Sequence, residues 1–424
     1  MNAAANAPAS ASASSASASS APASSASAAS GTRPRLIHLT TADISLELLL
    51  GPQLSAFAEA GYEVIAMSAP GPFVPAVEAR GIRHVALDNA TRSMDLFADV
   101  RALRELVRQF RTLRPDIVHT HNPKTGVYGR IAAKIARVPV IINTVHGLYA
   151  TPEDRLVRRV AVYGAERIAA ICSDRELVQN VEDIATLRSL RIPERRIRLL
   201  GNGIDLDRFG PPTPEDRAAV RHELGIADGA VVVGAVGRLV EEKGYRELIA
   251  AWQRVRAEVP NAVLLIVGPH EPDKADALDA ATIAQAEADG VRFLGMRDDV
   301  ERLYRALDVY VLLSYREGFP RSAMEAAASG LPIIATDIRG CRQVVDDGVT
   351  GRLIPVRDAD AAAQAIVDLC TDPPLRHTMS AAAVERAATH FDQRNVVSVT
   401  LAAYRELLPG RPAVTRADDT ARPA

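Results

Sequence analysis

Between Leu307 and Val356 the chain passes from an apolar run into a polar turn, an alanine-rich stretch and a second apolar run. No other part of the sequence restricts the fold as much. Val309–Leu313 has the length and composition of a strand buried on both faces, as strands of parallel sheets are. It gives way at Ser314 to the turn Arg316-Glu317-Gly318. Pro320 suits the first turn of a helix, where the N–H it lacks would have no partner. The helix predicted over Arg321–Ser329 stops at Gly330 with Pro332 just beyond, and Ile333–Ala335 reads as the next strand. Parallel strands need such a crossover. The segment is a βαβ unit and the fold class is α/β.

Two carboxylates stand out in this unit. Glu317 lies at the carboxyl end of the strand, where open α/β sheets bind ligands. Glu325 lies one turn into the helix. The backbone N–H groups of 319–322 point out of the helix start, which suits a phosphate. A ligand carrying both hydroxyls and phosphate, such as a sugar nucleotide, meets all three features. Two solvated glutamates would show the same spacing, so spacing alone leaves both readings open.

Glu317-Gly318-Phe319-Pro320, Glu325-Ala326, Gly330, Pro332, Gly340 and Gly348 resemble the E-x7-E signature of retaining glycosyltransferases of family 4. The variant with Pro320-Arg321 and Gly340-Cys341-Arg342 is similar to bacterial transferases of capsule, O-antigen and N-glycan assembly. The resemblance implies the GT-B fold, two Rossmann-like domains facing across a cleft. It further implies that Glu317 holds donor-sugar hydroxyls, that Glu325 holds the ribose, and that Gly318, Phe319, Pro320 and Arg321 line the donor site.

A chain of 424 residues is long enough for two cores. A formal net charge of -2 provides no global field for nucleic acid. Cys172, Cys341 and Cys370 have no metal-like spacing and fit a reducing cytoplasm. Residues 1–32 are almost wholly small and polar and cannot bury enough apolar area to offset ordering entropy. They read as a disordered tail, as do residues 409–424. Between the tails we expect an acceptor domain over 33–205, a linker over 206–228, a donor domain over 229–390 and a final helix over 391–408 crossing back to the first domain. No apolar run has transmembrane length.

In the first half, Leu36–Leu39 reads as a strand followed by the polar turn Thr40-Thr41-Ala42-Asp43, a helix over Leu46–Ala60 and a strand over Glu63–Met67. The turn lacks the G-x-G-x-x-G fingerprint, so no dinucleotide cofactor is indicated. Thr41 sits on the acceptor side. A helix over Asp95–Leu113 places Arg101, Arg104, Arg108 and Arg111 on one face, which suits either solvent or an anionic membrane surface. Ile117–His119 leads into His121-Asn122-Pro123-Lys124, similar to the H-x-x-P-K loop of transferases acting on lipid-diphosphate sugars. His121 and Lys124 are acceptor-site candidates on that resemblance. His119 and His121 without a third ligand nearby are a weak metal signal. Val140–Val145 ends at His146-Gly147, and His146 matches the family histidine near the reacting sugar. Arg167–Ser173 reads as a further strand. Asn202-Gly203-Ile204-Asp205 matches the segment that closes the family's first domain. Asp205-Leu206-Asp207 has no acidic cluster around it and is rejected as a metal site.

In the second half, Val231–Val236 precedes Gly237-Arg238 and, after one further turn, Lys243-Gly244. Two cations flanking a strand-to-helix turn suit a diphosphate. The turn also resembles the family's G-R-x-x-x-x-K-G, with Gly237 part of the donor site. Gly295-Met296-Arg297 matches the turn whose backbone faces the base. No cofactor motif, P-loop or metal set is present. The chemistry implied is metal-independent glycosyl transfer, with His146, Arg238, Lys243 and Glu317 catalytic. The expected partners are a sugar nucleotide and a lipid-linked or saccharide acceptor at the inner face of the plasma membrane. A nonhydrolysing sugar-nucleotide epimerase of the same fold and a non-catalytic sugar-nucleotide-binding protein remain as alternatives.

Overall fold

A computed structural model describes residues 33–89, 96–121, 123–148, 150, 154–274 and 276–409. Both expected disordered tails, apart from Pro409, lie outside these residues.

The first half alternates strands and helices. In chain order they are β1 (Arg35–Ala42), α1 (Gly51–Glu59), β2 (Glu63–Ala69), α2 (Val74–Ala79), β3 (Arg83–Ala86), α3 (Leu96–Leu113), β4 (Ile117–Thr120), α4 (Pro123–Ala136), β5 (Val140–Val145), α5 (Leu156–Cys172), β6 (Arg175–Val178), α6 (Val181–Ser189) and β7 (Ile197–Leu199). The second half continues with α7 (Pro214–Glu223), β8 (Val231–Val236), α8 (Tyr245–Glu258), β9 (Ala262–Val267), α9 (Ala280–Ala288), β10 (Arg292–Phe293), α10 (Val300–Ala306), β11 (Val309–Leu312), α11 (Arg321–Ala328), β12 (Ile333–Thr336), β13 (Gly351–Ile354), α12 (Ala359–Thr371), α13 (Pro373–His390) and α14 (Gln393–Leu407).

The strands form two sheets, a seven-stranded one in the order β3-β2-β1-β4-β5-β6-β7 and a six-stranded one in the order β10-β9-β8-β11-β12-β13. Each neighbouring pair is parallel. Strand order reverses between β1 and β4 in one sheet and between β8 and β11 in the other. Open parallel sheets hold ligands at such reversals, beyond the carboxyl ends of the strands. The turns picked out in the sequence follow β4, β5, β8, β10 and β11.

Three local readings differ. Arg167–Cys172 is the last part of α5 with Ser173 its C-cap, and the strand is Arg175–Val178 instead. The helix expected over Leu46–Ala60 is a π-helical turn, Ser45–Leu49, followed by α1, which carries Pro52 in its first turn. β1 runs through the expected turn to Ala42, with a register shift between Leu39 and Ala42. Helix α14 packs Val396, Ala403 and Tyr404 into the core beneath β1 and α1.

Candidate active site

Lys243 and Glu317 meet. Lys243 ends a short 3-10 turn held by Gly244, whose φ of 71° and close approach to the Leu313 carbonyl leave no room for a side chain. From there Lys243 Nζ donates to Glu317 Oε1 at 2.6 Å, and Ser314 Oγ donates to the same oxygen at 2.8 Å. The Tyr245 hydroxyl donates to the Gly237 carbonyl at 2.9 Å and fastens the turn after β8 to α8. Arg238 is half-exposed, and its nearest carboxylate is Glu271 at 3.8 Å.

Pro320 caps α11. Glu325 is half-buried under the turn, where the Tyr304 hydroxyl donates to Oε2 at 3.2 Å and Arg321 Nε lies 4.0 Å from Oε1. Burial raises its carboxyl above the usual range against the pull of Arg321. The guanidinium of Arg321 reaches the first half and donates to the Leu48 carbonyl at 2.9 Å. Arg297 is turned aside, with Nε and Nη2 each 2.8 Å from the two oxygens of Asp299. Met296 is exposed.

The two halves touch at Gly318. A Cβ there would lie 2.0 Å from the His146 carbonyl oxygen, so only glycine lets the β11 turn press against the β5 turn. Asn180 Nδ2 donates to the carbonyls of Gly318 and Arg339 at 3.1 Å each, and Asn202 Nδ2 donates to the Phe319 carbonyl at 3.2 Å. Arg342 forks onto both oxygens of Glu182 at 3.0 and 2.9 Å. Arg339 adds bonds to Asp183 and the Leu148 carbonyl. The structure therefore brings His146, Lys243 and Glu317 to one cleft.

His146 ends a row of buried imidazoles. Its Nδ1 faces Gln179 Oε1 at 3.2 Å, an oxygen that can only accept. That assigns the Nδ1 proton, leaving Nε2 to accept from His121 Nδ1 at 3.0 Å. With neutral rings the same logic runs on. His38 Nδ1 donates to His121 Nε2 at 2.9 Å, the Tyr404 hydroxyl to His38 Nε2 at 3.2 Å, His119 Nδ1 to Tyr404 at 2.6 Å and Thr144 Oγ1 to His119 Nε2 at 2.7 Å. Every ring nitrogen is paired, in one direction from Thr144 to Gln179. Burial keeps these rings neutral, lowering His38 to about 3 and His146 to about 4, and His119 and His121 well below the free value. His38, His119 and His121 are close enough to form a metal trio. Their nitrogens are already paired, His38 with His121 and the rest with Tyr404, Thr144 and His146. His121, an acceptor-site candidate from the sequence, is thus buried behind His146 and acts as its positioning residue.

Thr41 and Lys124 line one shallow pocket between α3 and α4, together with Asn89, Glu105 and Tyr128. Lys124 Nζ lies 2.6 Å from Asp99 Oδ1, and the Tyr128 hydroxyl donates to Asp99 Oδ2 at 2.9 Å. Arg101, Arg104, Arg108 and Arg111 all face solvent. Sequence reasoning missed Gln179, Asn180, Arg339 and Tyr404, and it read Asn202 only as part of the segment that closes the first domain. Their contacts cross the chain at separations that carry no local periodicity.

The chain matches two family models, "Glycosyl transferases group 1" over residues 216–386 and "Glycosyltransferase Family 4" over residues 53–208. It is 30% identical over 298 residues to the UDP-Gal:alpha-D-GlcNAc-diphosphoundecaprenol alpha-1,3-galactosyltransferase of Escherichia coli, spanning 69% of this chain and 76% of that one. It is 28% identical over 367 residues to the capsular polysaccharide biosynthesis glycosyltransferase CapM of Staphylococcus aureus, spanning 85% of this chain and 94% of that one. Among solved structures, Anabaena HepE in complex with UDP and glucose superposes with a TM-score of 0.72 at 20% identity, over 88% of this chain and all of HepE. Sucrose-phosphate synthase from Thermosynechococcus elongatus superposes with a TM-score of 0.74 at 24% identity, over 88% of this chain and 99% of that one. With two parallel sheets, motif-bearing turns at both strand-order reversals and these relatives, the chain is a GT-B protein of glycosyltransferase family 4.

Proposed function

We propose that the protein transfers a hexosyl or N-acetylhexosaminyl group from a UDP-sugar to a polyprenyl-diphosphate-linked saccharide, with retention and without a metal ion. The observation that carries the reading is Lys243 on Glu317 in a turn whose next residue, Gly318, abuts His146. A sugar held there has a carboxylate for its hydroxyls and two cations, Lys243 and Arg238, beside its diphosphate. As the bond from C1 to the diphosphate oxygen breaks, charge grows on that oxygen. Lys243, Arg238 and the start of α11 stabilise it because they are already oriented. The acceptor hydroxyl attacks C1 from the face the diphosphate leaves, and its proton passes to the departing oxygen. Glu317 is held by Lys243 and Ser314, which suits a sugar-binding carboxylate better than a nucleophile. UDP as donor nucleotide is supported by the Escherichia coli relative's name and the HepE complex. The lipid acceptor rests on that same relative and on the pocket lined by Thr41 and Lys124.

The test is incubation with labelled UDP-, GDP- and ADP-sugars, with and without membrane lipid extract. Label is expected in the lipid phase from a UDP-sugar only. Conversion of the donor without any acceptor product would favour the epimerase, and no turnover at all the binding protein. EDTA is expected to leave the rate unchanged. A loss restored by Mg2+ or Mn2+ would overturn the metal-independent part.

A further inference from the structure

Helix α5 is built inside out. A surface helix of a soluble protein turns its large aliphatic residues to the core. Here Leu156, Val157, Val160, Ile168 and Ile171 are exposed by 70, 82, 64, 59 and 65%, whereas the fully buried positions are Ala169 and Ala170. The spacing Val157, Val160, Gly164, Ile168, Ile171 puts the aliphatic residues on one outward stripe, interrupted only by a glycine. The opposite face is committed to polar ties. Tyr163 donates to the Ala150 carbonyl at 2.9 Å, and Glu166 accepts from buried Arg130 at 2.8 Å. Arg155, just before the helix, and Arg158 and Arg167 on its flanks are exposed, with Arg158 3.2 Å from Asp154.

We infer that α5 is the membrane-docking element of this chain, lying in the interface of an anionic bilayer with its aliphatic stripe in the acyl boundary and its arginines among the headgroup phosphates. Three observations commit the stripe to lipid. Its aliphatic side chains protrude beyond a cationic border, the pattern of an in-plane interfacial helix. A strip one helix wide and about 25 Å long is far below the ~800 Å² per partner of a stable protein pair. The stripe also begins at the cleft rim, because Asp154, just before α5, lies 3.6 Å from Arg316, the neighbour of Glu317. A docked α5 would therefore bring the bilayer surface to the mouth of the site. The purpose of docking rests on the lipid-acceptor reading, but the binding does not. The arginine face of α3 lies on the far side of α4 from α5 and supplies no aliphatic stripe.

The experiment is flotation of the full-length protein with phosphatidylglycerol vesicles and with phosphatidylcholine vesicles. A triple variant, Val157→Gln, Val160→Gln and Ile168→Gln, keeps helix-forming, uncharged side chains and touches no residue of the cleft. Wild-type binding to the anionic vesicles is expected, with a partition coefficient more than about tenfold lower in the triple variant. Melting temperature and UDP affinity should be unchanged, and Arg104→Glu with Arg108→Glu should have the smaller effect. Equal partition of wild type and triple variant overturns the inference, as does a wild type that ignores both vesicles. So does a wild-type dimer, by light scattering, that the triple variant makes monomeric, since the stripe would then be covered by a second copy. Vesicle binding without transfer to lipid would sink the acceptor assignment and leave the docking helix standing.

Discussion

Lys243 has two demands on it. Its ammonium is held by Glu317 in the free protein and is proposed to face the diphosphate when donor is bound, so one truncation removes both contacts. A charge-assisted hydrogen bond contributes roughly 1.5–3 kcal/mol. Lys243→Ala should therefore lower kcat/KM by about 10- to 150-fold, measured at constant melting temperature, and unchanged turnover would remove Lys243 from the site. The imidazole row makes a second prediction at this scale. The four histidines of the row, and His84 outside it, have folded pKa values below the unfolded value. As pH falls below about 6.5 the unfolded chain takes up protons that the folded chain refuses, so stability falls on acidification. Each histidine contributes up to about 1.4 kcal/mol per pH unit between the unfolded value and its own folded one. Glu176, Asp183 and Glu325, whose pKa values burial raises, oppose this at lower pH. The urea midpoint should be clearly lower at pH 5.5 than at pH 7.5. An equal or higher midpoint at pH 5.5 would mean that the rings are not held neutral.

Among the elements, α4 and β6 share a buried charge. Arg130 Nη1 donates to Glu176 at 2.9 Å and to Glu166 at 2.8 Å, while Asn143 and Ser173 also donate to Glu176. Breaking one side of such a group strands a carboxylate in the core, at a cost of roughly 3–5 kcal/mol. Arg130→Met should show that loss in urea unfolding, and adding Glu176→Gln should recover part of it. Helix α14 is the other element with a remote role. Its Tyr404 hydroxyl links His119 to His38, so α14 is tied into the row that ends at the active-site ring of His146. Tyr404→Phe should keep the packing of the ring, lower the urea midpoint modestly and change the NMR shift of the His146 ring nitrogens. Unmoved His146 resonances would disconnect the row.

For the whole molecule, the cleft is closed by bonds from Asn180 and Asn202 to carbonyls of the opposite half. Such bonds bias an equilibrium between open and closed forms, and donor affinity falls by the closed fraction lost. Asn180→Ala removes two of them, worth about 1 kcal/mol each. UDP should then bind roughly 5- to 30-fold more weakly by calorimetry, with a larger radius of gyration in the free protein. Unaltered affinity would show that the halves are held together by other contacts. At this same scale the docked α5 would fix the cleft's orientation to the bilayer.

The sequence by itself determined the α/β class, because apolar runs of strand length separated by helix-length stretches allow little else. It also determined the donor turns. Glu317, Gly318, Pro320 and Glu325 are close neighbours in one βαβ unit, and Arg238 and Lys243 flank one turn, so local spacing encodes their geometry. Only the tertiary structure decided which groups meet. Lys243 reaches Glu317 because β8 and β11 are neighbours in the six-stranded sheet, and His146 reaches Gly318 because the turn after β5 of the other sheet faces the turn after β11. The histidine row needs β1, β4, β5 and α14 side by side, which no local period reports. Arg167–Ser173 was misread for the complementary reason. An alternation of small and aliphatic residues is shared by a buried strand and by a helix that turns its aliphatic face outward, and only the packing of Ala169 and Ala170 inward separates the two.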